Sequence, residues 1–154
     1  MEKIKHLLLP LALVFAAIAV FEFGARYGEA NMRTYVIANE LRFSLSIYAQ
    51  AETNMDNSSK ENFAMIIDNG IAAGAVHRQI WYLGQDAQTA LDSLLSTALK
   101  IRGDAVAERF ASMKASEDMP ALNETKFTEI REALAKAKVA LIDNAPKVVE
   151  QEAE

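Results

Sequence analysis

The sequence predicts an all-α protein: a single N-terminal transmembrane helix that runs on into an antiparallel bundle of about four soluble helices. Three observations predict it. Leu7 to Phe21 carries no charged residue and follows a short basic leader, MEKIKH. Beyond it, apolar residues recur at three-to-four spacing, the period of an amphipathic helix. Only six glycines and three prolines interrupt a chain of 154 residues rich in Ala, Leu, Glu and Lys. That length allows one modest domain beside the anchor. The chain therefore divides into an anchor over 1–28, a bundle over 29–143 and an acidic tail over 144–154.

The uncharged run is about 15 residues, short of the roughly 17–25 of a spanning helix. It suffices once Phe23 and the small residues after it are included. Glu22 and Arg26 then stand at i and i+4 on one helical face and can pair at the lipid–water boundary. Tyr27 and Tyr35 suit the interface. A cleaved signal peptide is the competing reading, with Ala17-Ile18-Ala19 as its cleavage site. Against it, Val20-Phe21-Glu22-Phe23 follows where a polar stretch is expected, and the helical pattern passes through the site unbroken. A buried helix of a soluble domain accounts less well for a Lys-flanked apolar run beside the N-terminus. Lys3 and Lys5, with His6, lie before the segment and Arg26 and Arg33 after it. The balance favours the N-terminus inside. The expected location is the inner (cytoplasmic) membrane, single-pass, with the bundle facing the periplasm. Without cysteine, an exported bundle holds together by its core alone.

Ala12, Ala16, Val20, Gly24 and Gly28 recur every four residues, and the last two frame a GxxxG. Such a strip lets a second helix backbone approach closely in lipid. It is the candidate packing face for a membrane partner or for self-association, although Ala and Gly are common in membrane helices anyway.

The first soluble helix is expected to continue straight out of the membrane over Glu29–Thr53. Val36/Ile37, Leu41, Ser44/Leu45 and Tyr48 form its stripe, broadened by Phe43 and Ile47. No proline or glycine pair interrupts it after Gly28, so anchor and helix make one rod of roughly 75 Å at 1.5 Å per residue. Asn54 to Ser59 breaks it. Ser58-Ser59-Lys60-Glu61 fits a capping box for the next helix. Asn57-Ser58-Ser59 and Asn123-Glu124-Thr125 are also glycosylation sequons, but both stand where a helix starts and read as caps.

The second soluble helix is expected over Ser59–Leu83. Phe63, Ile66/Ile67, Gly70, Ala73/Gly74, His77 and Ile80/Trp81 mark its buried side. Gly70 and Gly74 make a second GxxxG, best explained by packing against a bulky neighbour, since interior glycines each cost about 1 kcal/mol against alanine. With His77, Arg78, Trp81 and Tyr82 they form the one group with the chemistry for a ligand or partner contact. A Trp closing the end of a bundle is the plainer explanation. Gly84 reads as a helix stop and Asp86 as the next N-cap.

A long helix follows over Asp86–Ala115, with Leu91, Leu94/Leu95, Ala98, Ile101/Arg102, Ala105/Val106, Phe110 and Met113 facing inward. The loop Ser116 to Pro120 ends it. Asn123 caps the last helix, whose stripe is Phe127, Ile130, Leu134, Ala137/Lys138 and Leu141/Ile142 and which stops at Asn144-Ala145-Pro146. Short connections favour antiparallel neighbours.

The chemistry of catalysis is missing from the sequence. Without cysteine there is no thiol nucleophile or Cys-based metal site. The two histidines, His6 and His77, lie far apart in the chain. No metal-binding HExxH, phosphate-binding glycine loop or nucleophile elbow occurs. An enzyme is not expected, and no catalytic, metal or cofactor residue is assigned. A net charge of −5 argues against nucleic acid. The leading expectation is an anchored interaction protein, an accessory or scaffold subunit of a membrane complex whose partners are the bilayer and a membrane protein or a second copy. The alternatives are an extracytoplasmic small-molecule sensing or binding domain, and a released periplasmic chaperone or carrier if the signal is cleaved.

Overall fold

A computed structural model describes the backbone of residues 2–54, 56–113 and 123–144 and the side chains of 10–50, 56–113 and 123–144. Among these residues helix is the only regular secondary structure: α1 (Glu2–Asn54), α2 (Asn57–His77), α3 (Gln85–Ser112) and α4 (Glu124–Lys138), the last running into a π-helical turn over Val139–Asp143.

Helix α1 is the continuous rod that the sequence implies, 53 residues long and about 80 Å at 1.5 Å per residue. Pro10 lies inside it without ending it. It is the one described helix long and apolar enough to cross a membrane, and its most apolar stretch is not buried against the rest of the chain. From residue 10 to Glu29 every side chain is exposed; from Ala30 onward one face is covered. Glu22 and Arg26 pair across one turn at 3.7 Å.

Helix α2 begins one residue after Asp56, whose carboxylate accepts the Ser59 amide at 2.8 Å and the Ser59 hydroxyl at 3.0 Å. The cap is therefore Asp56 and not Ser58. An ionised carboxylate is the stronger acceptor at a helix N-terminus, and the Ser59 amide holds the Asp56 carboxyl below the ordinary aspartate range. Asn123 caps α4 as expected, accepting the Lys126 amide at 3.0 Å.

Residue pairs fix how the helices run. Ala30 meets His77 and Leu41 meets Gly70, so α2 returns along α1. Asp68 meets Arg102 and Asp92 meets Arg78, so α3 runs back along α2. Arg131 meets Phe110 and Lys138 meets Asp104, so α4 runs back along α3. Helices α2 and α3 each touch both α1 and α4, and among the described residues α1 and α4 make no contact. The core lies between them: Leu41, Ile67, Ile71, Leu91, Leu95, Val106, Phe110, Phe127 and Leu134.

Several boundaries and faces differ from the sequence reading. Helix α2 stops at His77 and not at Leu83, and 78–84 is a run of tight turns. Gly84 is the N-cap of α3, with ordinary negative φ, and Asp86 sits within the first turn, not before it. Val36 and Phe43 of α1, Ile66 and Ala73 of α2, and Ile101 and Ala105 of α3 point outward. Beside Leu41, Ile67 and Ile71, the positions that go inward are small or polar: Ala30, Thr34, Ala38 and Ser44 on α1, and Ala72 and Ala75 on α2. Small buried residues let the helices approach closely around these few large ones. Helix α3 ends at Ser112 and not at Ala115, because the backbone turns extended at Met113; the loop over Ser116 to Pro120 and the tail beyond Asn144 lie outside the described residues.

Candidate interaction site

The two glycine pairs sit in opposite surroundings. A Cβ on Gly70 would lie 3.1 Å from Leu41 Cδ2, and one on Gly74 3.4 Å from methyls of both Leu91 and Leu95. The α2 pair is the socket for Leu41. A Cβ on Gly24 or Gly28 would have nothing within 4 Å. Ala12, Ala16 and Val20, on the same helix, are likewise exposed. Among the described residues nothing packs on this N-terminal strip.

Beyond the anchor, α1 keeps an apolar line on the side turned away from its buried face. Phe21, Met32 and Phe43 recur every eleven residues, a spacing that stays on one side of an almost straight helix. Met32 and Phe43 are both about two-thirds exposed. Phe43 also lines a groove between α1 and α2, of about 450 Å³, with Glu40, Ser44, Ile66, Asn69, Gly70 and Ala73. Large apolar side chains set among small ones suit the ridge of another helix.

The remaining residues singled out by sequence, His77, Arg78, Trp81 and Tyr82, lie at the other end of α2, in and beside the turn to α3. They serve different purposes. His77 bonds through Nε2 to the Ala30 carbonyl at 3.1 Å. The Arg78 guanidinium binds both carboxylate oxygens of Asp92, at 2.7 and 3.2 Å. Asn31 accepts the Gly84 amide at 2.7 Å, while its own NH₂ donates to the Tyr27 carbonyl at 2.7 Å. These contacts clamp both ends of the turn to α1 and α3. Trp81 does not close the bundle: it is 83% exposed. Its ring meets Tyr82 edge-on at 5.3 Å, and both rings reach the Phe23 ring of α1, at 6.4 and 6.0 Å. A small cleft beneath them is lined by Arg26, Glu29, Arg33, His77, Ile80 and Tyr82.

Sequence reasoning missed the most buried charge. Asp68, its side chain 3% exposed, receives Arg102 through Nε and Nη2 at 2.6 and 3.0 Å and Arg109 at 3.5 Å. Arg102 in turn lies 5.9 Å over the Tyr48 ring, and its hydrogen bond to Asp68 raises its basicity. The latch joins α1, α2 and α3 and leaves no buried side-chain nitrogen or oxygen without a partner among the described residues, so it is structural. One signal for it was present: Arg102 falls on the inward stripe of α3, and an inward arginine needs a carboxylate.

One further cleft, about 330 Å³, opens between α3 and α4 over Leu99, Gly103, Val106 and Leu134. The cations at its edge are committed: Arg131 donates to the Phe110 and Met113 carbonyls, and Lys138 to Asp104. Among the described residues no three His, Cys, Asp or Glu side chains gather as a metal site would require. The chain matches no protein-family model, no curated protein and no solved structure.

Proposed function

We propose that this chain is a single-pass membrane-anchored interaction protein, an accessory or scaffold subunit that docks on a membrane partner through α1. Residues 1–28 are the anchor and 29–143 an antiparallel bundle outside the cytoplasm, in the periplasm where the cell has one. One observation carries the reading. From residue 10 to Glu29 α1 is largely apolar and uncovered, with nothing among the described residues against Gly24 and Gly28, while the second half of the same helix is packed. Apolar surface of that extent has to meet lipid or protein, and small residues facing empty space favour a second helix there. The line through Met32 and Phe43 and the groove beside it carry the same contact surface beyond the membrane. The partner is a helical membrane protein or a second copy; nothing in the charge balance favours nucleic acid. No catalytic role is assigned.

The test is a mild-detergent pull-down of the C-terminally tagged chain from its native membranes, with the intact mass of the bait measured in the same preparation. An uncleaved bait with stoichiometric membrane proteins, or a defined oligomer, supports the reading. A bait beginning near Val20, soluble and alone, sinks it.

The cleft between α3 and α4 favours a second reading, a binding domain for a small apolar molecule, because Gly103 leaves depth in an otherwise aliphatic wall. Saturable thermal stabilisation by an apolar metabolite, lost in Gly103→Leu, would move the function there.

A further inference from the structure

We propose that the 78–84 turn is a second membrane contact: Trp81, with Tyr82 and Phe23, seats in the headgroup layer of the bilayer that α1 crosses. The inference rests on the anchor reading above and adds a lipid-facing surface to the bundle itself.

The height of the turn along α1 is set by the contacts already described. Its ends are held beside Ala30 and Asn31 by the His77 and Gly84 bonds. From there Trp81 and Tyr82 reach forward to Phe23, seven residues nearer the anchor, or roughly 10 Å along the helix at 1.5 Å per residue. Phe23 lies between Glu22 and Arg26, the first charges after the uncharged run that starts at Leu7. The exposed rings are therefore level with the point where α1 leaves its apolar zone.

The chemistry of the group matches that depth. Trp and Tyr pair an apolar ring with a polar tip and collect at membrane–water interfaces, where each end finds its own solvent. In water alone, a tryptophan 83% exposed beside two other aromatic rings leaves a large apolar area uncovered. Arg26, within one turn of Phe23, lines the cleft beside the rings and is placed to meet lipid phosphates there. Because the turn is clamped at both ends and α1 has no break, this contact would hold the bundle upright on the membrane.

Trp81 is the chain's only tryptophan, so its fluorescence reads this one position. The full-length chain is reconstituted into phosphatidylcholine–phosphatidylglycerol vesicles, alone or with lipids brominated at shallow or deep acyl positions, and titrated with acrylamide. Two reporters with Trp81→Phe calibrate it: Phe15→Trp inside the span, and Ile101→Trp on an exposed part of α3. The expected result is Trp81 emission quenched most by shallow bromines and several-fold less accessible to acrylamide than the Ile101→Trp reporter. Trp81 as accessible as that reporter and untouched by bromines, while the Phe15→Trp reporter is quenched, overturns the turn contact and leaves the anchor standing. Shielding from acrylamide without bromine quenching puts a second copy over the turn and overturns the lipid assignment. A Phe15→Trp reporter that bromines fail to quench removes the anchor and this inference together.

Discussion

The same five-residue spelling, glycine to glycine across one helical turn, occurs in α1 and in α2 with opposite outcomes. Around Gly70 and Gly74 the missing side chains make room for Leu41, held between α2 and the leucines of α3. Around Gly24 and Gly28 they make room for nothing among the described residues. Two glycines inside a helix cost about 1 kcal/mol each. In α2 the compensation is visible as packing; in α1 no described residue supplies it. A stability assay should register damage to the packed half of the molecule and stay silent for the uncovered half.

The largest effect is expected at the latch. Arg102→Ala leaves Asp68 buried with only the longer Arg109 contact, and breaking a buried pair from one side costs about 3–5 kcal/mol. Chemical denaturation followed by circular dichroism measures it; a loss below a tenth of that would mean water reaches Asp68 and the latch is ornamental. Next comes Gly70→Leu, which forces a branched side chain against Leu41 and should cost about 1–3 kcal/mol. Adding Leu41→Ala to it should recover part of that loss, since the two residues share one space. Additive losses would show that Leu41 is not what fills the glycine gap.

Smaller effects follow at the helix starts. Asn123→Ala should cost about 1 kcal/mol by removing the acceptor for the Lys126 amide. The Asp56 cap predicts a dependence on pH instead. Its carboxyl is held below the ordinary aspartate value by the Ser59 amide, so its contribution is whole above that value and is lost as pH falls through the lowered one. Asp56→Asn keeps an acceptor that does not titrate. The difference in unfolding midpoint between the two proteins should therefore shrink in acid, and a constant difference from neutral to acid pH would deny the charge any part in the cap. Smallest of all, Gly24→Leu with Gly28→Leu should shift bundle stability by less than about 0.5 kcal/mol. The same double variant should nonetheless abolish crosslinked oligomers or co-purified partners. Unchanged partners would make the anchor strip incidental.

How far this molecule could be read from its residues follows from the range of the forces involved. The unbroken α1, the breaks after Asn54 and before Asn123, and the seat for a bulky side chain at Gly70 and Gly74 were legible, because each depends on neighbours within a turn or two. The end of α2 was not. Arg78 to Leu83 has nothing local that forbids a helix, and the chain leaves the helix there while Asn31 and Ala30, about fifty positions earlier, hold its ends. Asp68 was invisible for the same reason: between Ile67 and Asn69 it resembles any surface acid, and the arginine that buries it arrives 34 residues later. The faces of α1 were misjudged where size was taken as the guide. Val36 and Phe43 are the large residues, yet Ala30, Thr34 and Ala38 are the ones that let α2 and α3 come close.

The unbroken course of α1 has a mechanical meaning. A helix without a joint is a shaft. From residue 10 to Glu29 its side chains are exposed, while its second half is gripped by α2 and α3 with Leu41 standing as a key in the slot cut by Gly70 and Gly74. Torque applied near Gly24 has no hinge in which to dissipate and arrives at that key, which fills the space that side chains at positions 70 and 74 would otherwise take.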